Sequence, residues 1–367
     1  MSARIDAFVV ATPGLEPLVQ AELTRLGVRP ANITHGGVNC SLTWPQLWAV
    51  HLKSRLATRV LVRVARFKAD GFDTLHAGGA RIDWSQWLPA EGGVKVTAAS
   101  DGKSVLFHTG AIAERVAEQI GRGESEQGNQ DVLVRVVHNV ATVSIDASGL
   151  ALHKRGYRGP AGKAPMRESL AAALLVASEW DVRKPLVDPF CGSGTIAIEA
   201  AMMARRIAPG RQRTFQFMQW PSFEAAGWDR LVKGADSDVI ERCPVIVGSD
   251  RDDGAVRASV ENAARAGVGE QVAFERRSAS ELELPAAKGW VVTNPPYGAR
   301  VGGPDVRDLY DRFGAVLRER GAGWHVAVLA SRDTPVSRMH LPLVPTFETT
   351  NGGINVAVHT GTVPTGP

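Results

Sequence analysis

Val187-Asp188-Pro189-Phe190-Cys191-Gly192-Ser193-Gly194-Thr195 is an apolar run closed by a carboxylate and a glycine-rich turn, and the helical pattern Ile196 to Ala204 follows directly. Apolar run, turn and helix in that order predict the opening of a βαβ unit. Gly192 and Gly194 let the backbone approach a ligand where a side chain would collide with it. The turn departs from the dinucleotide fingerprint GxGxxG, because Ala197 stands at the third glycine position, and no lysine follows to make a phosphate loop. Gly102-Lys103-Ser104 also fails as a phosphate loop, since Thr97 stands where its first glycine should be. Phosphate is therefore not the obvious ligand.

Working outward, Pro185 to Asp188, Val245 to Asp250, Val272 to Phe274, Trp290 to Thr293 and His325 to Ala330 are short apolar runs that alternate with Ala-rich helical segments from about residue 165 onward. That alternation predicts a parallel, doubly wound sheet with its ligand at the carboxyl ends of the strands. The second run ends in Gly248-Ser249-Asp250-Arg251-Asp252, about sixty residues after the glycine turn. A carboxylate there takes both hydroxyls of a ribose, or else caps the next helix. A nucleoside-containing cofactor without a pyrophosphate satisfies turn and carboxylate together. The long connection from about residue 205 to 244 carries Phe215, Phe217, Trp220, Phe223 and Trp228. These either line a site or, as the simpler expectation, pack against the sheet.

Asn294-Pro295-Pro296-Tyr297 follows the fourth run. An aromatic or amide-like amine is a poor nucleophile because its lone pair is delocalised. If the Asn294 side-chain oxygen and the Pro295 carbonyl each accept one N–H, the nitrogen is favoured in the pyramidal geometry whose lone pair points at a methyl donor. Proline supplies a stiff backbone, and Tyr297 can stack on the base and hold it in line. A strong general base is unnecessary, since the product ammonium sheds its proton readily. Taken alone, the prolines mark only a turn after a strand; beside the cofactor motifs they read as a clamp on a substrate amine.

Before residue 160 the chain carries 18 Lys+Arg against 14 Asp+Glu, and after it 24 against 24. The whole excess of four lies in the first part and suggests an anionic partner, although a surplus this small also arises from ordinary surface variation. Ala7 to Val10 predicts a strand, and Leu15, Leu18, Val19, Leu23 and Leu26 a helix ending at Gly27. A second helix would start at Thr43 as cap with Pro45 in its first turn, ahead of the strand pattern Val60 to Val64. From Val94 the pattern runs strand, helix around Ala111 to Ile120, then two strands turning at His138-Asn139. Beyond them Lys154, Arg155, Tyr157 and Arg158 combine positive charge with a stacking surface, and read either as a grip on RNA or as a solvated basic linker. Cys40, Cys191 and Cys243 lie too far apart for a metal site or disulfide framework, so no metal is expected. With no long apolar span and no leader at the N-terminus, a soluble, cytoplasmic chain is expected.

These motifs together resemble a known family, the bacterial THUMP-domain class I methyltransferases, close to the ribosomal large-subunit guanine-N2 type. The resemblance spans nearly the whole chain: ATPGLEPLVQAELTRLG at 11–27, LHKRGYR at 152–158, APMRESLAAALL at 164–175, DPFCGSGTIAIEAA at 188–201, RIAPG at 206–210, FQFMQW at 215–220, GSDRD at 248–252 and NPPYG at 294–298. It implies a ferredoxin-like domain over residues 1–65, a THUMP RNA-binding domain over 66–158, and a Rossmann-like class I methyltransferase domain over 159–367 using S-adenosylmethionine. By resemblance, Asp188, Pro189, Phe190, Cys191, Gly192, Gly194 and Thr195 meet the cofactor, Asp250 and Arg251 its ribose side, and Asn294 to Tyr297 the target amine. Arg167 and Glu168 match a segment near the cofactor's methionine end, where Glu168 would pair with the ammonium or form a surface salt bridge. Relatives often carry an acidic residue after the third strand for the adenine amine; here Ser278-Ala279-Ser280 stands in its place. Asn351-Gly352-Gly353 resembles a turn between the last strands. Some members carry a second methyltransferase domain, and with the sequence ending at Pro367 one reaction is expected.

NPPY alone is shared by DNA adenine and protein glutamine methyltransferases. The α/β N-terminal half with its basic excess favours structured RNA over both, and the expectation is guanine N2 on large-subunit ribosomal RNA, with a tRNA acceptor stem, adenine N6 and a non-catalytic RNA-binding factor as alternatives.

Overall fold

Each of two units is built on a seven-stranded sheet. The structure, a computed structural model, describes residues 4–89, 91–125, 129–159, 166–297 and 304–365. The first unit takes the chain up to Ala11, Val19–Leu152 and Arg213–Lys233; the second takes Thr12–Leu18, His153–Gln212 and Gly234 onward.

In the first unit β1 (Ile5–Val10), β2 (Pro30–Thr34), β3 (Gly37–Leu42), β4 (Arg59–Lys68), β5 (Gly93–Ser100), β6 (Asn129–Val137) and β7 (Val140–Asp146) lie in the order β2-β3-β1-β4-β7-β6-β5. Thr43 caps the helix Trp44–Lys53 through a reciprocal pair with Gln46, with Pro45 in the first turn as expected. His138 and Asn139 both adopt positive φ, the geometry of a two-residue hairpin that matches strand twist. The expected boundary between residues 65 and 66 falls inside β4. That strand pairs with β1 on one side and β7 on the other, so the two expected N-terminal units share one continuous sheet.

The aromatic connection behaves differently from its expectation. Residues 213–233 belong to the first unit, not to the parallel sheet. Phe215 and Phe217 stack at 5.6 Å, Trp228 meets both edge-on, and His51 packs its edge on the same pair. Trp220 sits among Trp44 and Trp87 and donates Nε1–H to Gln130 Oε1 at 2.6 Å. Burying large rings against rings the first unit already carries gains more apolar contact than a sheet with both faces filled could offer. His51, buried there between Leu47 O and Ser148 Oγ, has its imidazole pKa pushed down to about 3 by desolvation.

In the second unit β8 (Leu186–Asp188), β9 (Ile246–Asp250), β10 (Ala273–Arg276), β11 (Trp290–Thr293), β12 (His325–Ser331), β13 (Val344–Asn351) and β14 (Ile354–Thr362) take the order β10-β9-β8-β11-β12-β14-β13. The first five are parallel, and β14 and β13 add antiparallel at one edge. Leu186, Val292, Ala327 and Leu329 enter one apolar core, while Val187, Val291, Val326 and Val328 enter another. Successive residues of a strand face opposite ways, so this partition means both faces are buried, which is why these strands read as unbroken apolar runs. Chain order reverses between β8 and β11, leaving a crevice beyond their carboxyl ends.

Candidate active site

That crevice is a cleft of about 1120 Å³ lined by the carboxyl ends of β8, β9 and β11 and the turns after β10 and β13. Asp188 closes β8 and is buried; it accepts Thr293 Oγ1–H at 2.6 Å and Phe190 N–H at 3.2 Å. Burial pushes its carboxyl up to about 7, against the pull of those two donors, and the nearby Asp250 adds to the rise. Asp250 closes β9 and reaches across to the glycine turn, accepting Gly192 N–H at 3.1 Å. Asp252 caps the helix Asp253–Arg265 by accepting Ala255 N–H at 2.8 Å, so the capping duty that sequence left open for Asp250 falls to its neighbour.

Both turn glycines need their residue type, for different reasons. Gly192 has φ +52° and open space where a Cβ would stand, room that a ligand lying on the turn requires. Gly194 has φ +82°, and a Cβ there would come within 2.7 Å of the Ser259 side chain and 2.9 Å of the Phe274 ring. Gly194 lies beneath the cleft rather than in its wall, and serves close packing.

Arg167, Pro189, Phe190, Cys191, Thr195, Arg251, Ser278 and Ala279 line the same cleft with Asp188, Gly192 and Asp250. Burial and the neighbouring carboxylates push the Cys191 thiol up, which keeps it a neutral wall group. Ser278 caps the short helical turn Ala279–Glu281, its hydroxyl 2.9 Å from Ser280 Oγ. Glu168 does not reach the cleft wall: it is buried 3.0 Å from Arg158 Nε. Glu168 thus forms an ion pair that is buried, not the surface salt bridge expected as its alternative.

Asn294, Pro295, Pro296 and Tyr297 line the same cleft where β11 ends, beside β8. Asn294 Oδ1 is buried and has no hydrogen-bond partner among the described residues. An orphaned acceptor costs about 1–3 kcal/mol unless a donor arrives, so its presence at a cleft wall fits a bound N–H. Tyr297 is largely buried, and Asn351 Nδ2 donates to its Oη at 2.7 Å.

Sequence reasoning missed two residues. Asn351 reaches Tyr297 because Gly352 and Gly353, both at positive φ, turn β13 into β14 beside the cleft. Asn262 donates to Ser193 O at 3.0 Å and accepts from Gly159 N and Arg265 Nη2, clamping the glycine turn from the helix behind it. The Asn351-Gly352-Gly353 triplet signalled the first; nothing local signals the second.

The basic segment requires a correction. Tyr157 is 1% exposed and donates to Glu199 Oε1 at 3.3 Å, while Arg155, 2% exposed, approaches the same oxygen at 3.5 Å. Arg158 spends its guanidinium on Glu168, Thr195 Oγ1 and Met166 O. Neither a stacking ring nor free charge is left on these three, because Glu199 is fully buried in the helix Thr195–Ala204 and demands cations. Lys154 alone of the four is exposed.

A glycine turn, two strand-end carboxylates and an Asn-Pro-Pro-Tyr segment gathered in one cleft at a switch point are the site of a methyltransferase of the doubly wound kind. Residues 155–359 match the family described as "RMKL-like, methyltransferase domain", and residues 6–61 match the "RlmL ferredoxin-like domain". The chain belongs to this RMKL-like methyltransferase family, with a ferredoxin-like domain at its N-terminus. A Synechocystis protein, slr0064, named provisionally as an RNA methyltransferase, is 32% identical over 95% of this chain and 94% of its own. "Ribosomal RNA large subunit methyltransferase K/L" of Syntrophotalea carbinolica is 34% identical over 96% of this chain and 53% of that one, so the chain spans about half the length of its K/L relatives. A solved structure described provisionally as a methyltransferase complexed with SAH, SMU.472, superposes with a TM-score of 0.87 at 28% identity, covering 98% of each chain.

The methyl donor is S-adenosylmethionine, which when bound supplies an electrophilic methyl group on sulfonium. Asp250, Gly192, Asn294 and Pro295 line the one cleft in which it would sit. Among the described residues no His, Cys, Asp and Glu group is arranged to hold a metal ion, and no helix is long and apolar enough to cross a membrane.

Proposed function

We propose that the chain methylates the exocyclic N2 of a guanosine in structured RNA, large-subunit ribosomal RNA before a tRNA acceptor stem. The observation that carries this reading is the buried Asn294 Oδ1 at the cleft, without a hydrogen-bond partner among the described residues. It is an acceptor that suits an N–H donor such as an exocyclic amine, in the same cleft as the carboxylates that suit a nucleoside cofactor. Names of relatives supply the RNA, and the ribosomal branch rests on the K/L proteins. In this reading residues 66–158 act as a THUMP-type RNA platform, and Arg167, Arg251 and Ser278 contribute to cofactor binding. Ser278 would take over near the adenine from the acidic residue that relatives carry.

Nucleoside mass spectrometry on separated ribosomal RNA and tRNA, from cells with and without the gene, tests it. Loss of one N2-methylguanosine from large-subunit RNA, restored by wild type and not by Asn294→Ala, is expected. Loss from tRNA would move the target and keep the chemistry; no change in either pool would end the proposal.

A further inference from the structure

The first unit's sheet has a face whose charge its own folding leaves unused. β4, β7 and β6 are neighbours in that sheet, and Arg66 and Arg135 both stand opposite Thr142, one on each side. Cross-strand partners share a face, so two guanidinium side chains rise from one surface two strands apart, about 9.5 Å at roughly 4.8 Å per strand. The alternate residues Val134, Val136, Ala141 and Val143 point the other way and are buried. Both arginines are exposed, and among the described residues neither has an ion-pair or hydrogen-bond partner.

The other cations on β4 and β5 are engaged, Arg59 with Asp146. Arg63 lies 3.9 Å from Asp6 and over the Phe8 ring, Lys68 lies 2.5 Å from Asp70, and Lys95 lies 3.8 Å from Glu124. Beside Arg135 the register places Ala99, small and exposed, so the shelf stays open toward the β5 edge. Two guanidiniums on one sheet face, without partners among the described residues, match a polyanion with repeating phosphates, each taking one phosphate through its planar fork.

We propose that the Arg66–Thr142–Arg135 row docks the phosphate backbone of the RNA substrate. The inference rests on RNA being that substrate, and gives the first unit the task that the buried Arg155 and Tyr157 cannot perform.

The test compares wild type, Arg66→Gln/Arg135→Gln and Arg66→Lys/Arg135→Lys for binding to deproteinised large-subunit ribosomal RNA over a salt series. Each phosphate contact contributes about 0.7–0.9 to the slope of log affinity against log salt. The glutamine pair is expected to flatten that slope by about 1.5 and to weaken low-salt binding at least tenfold. Melting temperature and affinity for S-adenosylmethionine should stay at wild-type values, and the lysine pair should keep the slope. A folded glutamine pair with an unchanged slope overturns the docking row alone. A wild type without salt-dependent RNA binding overturns the RNA reading, and the row with it.

Discussion

Thr293 donates its hydroxyl to Asp188 Oδ1 across 2.6 Å, tying the carboxyl ends of β11 and β8 beneath the cleft. Despite this donor, burial pushes the Asp188 carboxyl up to about 7 from an ordinary 3.8. The folded chain keeps that proton to about pH 7, whereas the unfolded chain releases it near pH 4. Stability from this group is therefore present at low pH and lost as pH rises through that window, on the order of 4 kcal/mol at most. His51 acts oppositely: its depressed pKa removes stability as pH falls from 6.5 toward 3. Asp188→Asn removes the first effect only. Denaturant titrations from pH 4 to 8 should show the variant's stability rising relative to wild type up to about pH 7, then running parallel. A pH-independent difference would mean that Asp188 is ionised throughout.

Asn294→Ala should leave RNA and cofactor affinity within about twofold and lower methyl transfer by about 10²–10³-fold, the usual loss when one oriented polar contact to the reacting group is removed. Single-turnover transfer with saturating RNA and cofactor measures this. Equal turnover would sink the clamp mechanism.

Asn351 donates to the Tyr297 hydroxyl at the cleft and is expected to act through that ring. Asn351→Ala should reduce kcat several-fold with the cofactor Kd unchanged, and have little further effect in a Tyr297→Phe background. A coupling energy of about 1 kcal/mol is expected from the double-mutant cycle. Additive losses would show that the turn contributes independently of the ring.

The glycines of the cofactor turn should separate. Gly194→Ala forces a Cβ against Ser259 and Phe274 at positive φ, with an expected loss of at least about 2 kcal/mol in folding stability. Gly192→Ala meets open space and carries only the backbone cost, about 1 kcal/mol, so its larger effect should fall on cofactor affinity. Thermal melts and isothermal titration distinguish the two; equal melts would contradict the packing role of Gly194.

The parallel sheet and both walls of the cleft were legible because each rests on local chemistry. Apolar runs, a glycine turn and a strand-end carboxylate carry their meaning within ten residues. Burial of the basic segment was hidden because Glu199, which captures Arg155 and Tyr157, stands more than forty residues away on an apolar helix. The sequence reads a strand only from Val60 to Val64, whereas β4 runs on to Lys68 and pairs with both β1 and β7, a continuity that only its partners reveal. Asn262 offered no signal, since an asparagine on a helix is ordinary until the backbone it clamps is in view.

The aromatic connection sets an order on synthesis. Residues 213–233 complete the ring cluster around His51 and Trp48, yet they emerge from the ribosome after residues 153–212 of the other unit. The N-terminal unit therefore cannot close its core while it is being made first, as consecutive domains ordinarily do. Until Lys233 has left the exit tunnel, Trp44, Trp48 and Trp87 of the nascent chain lack the rings of Trp220 and Phe223 that cover them in the folded unit.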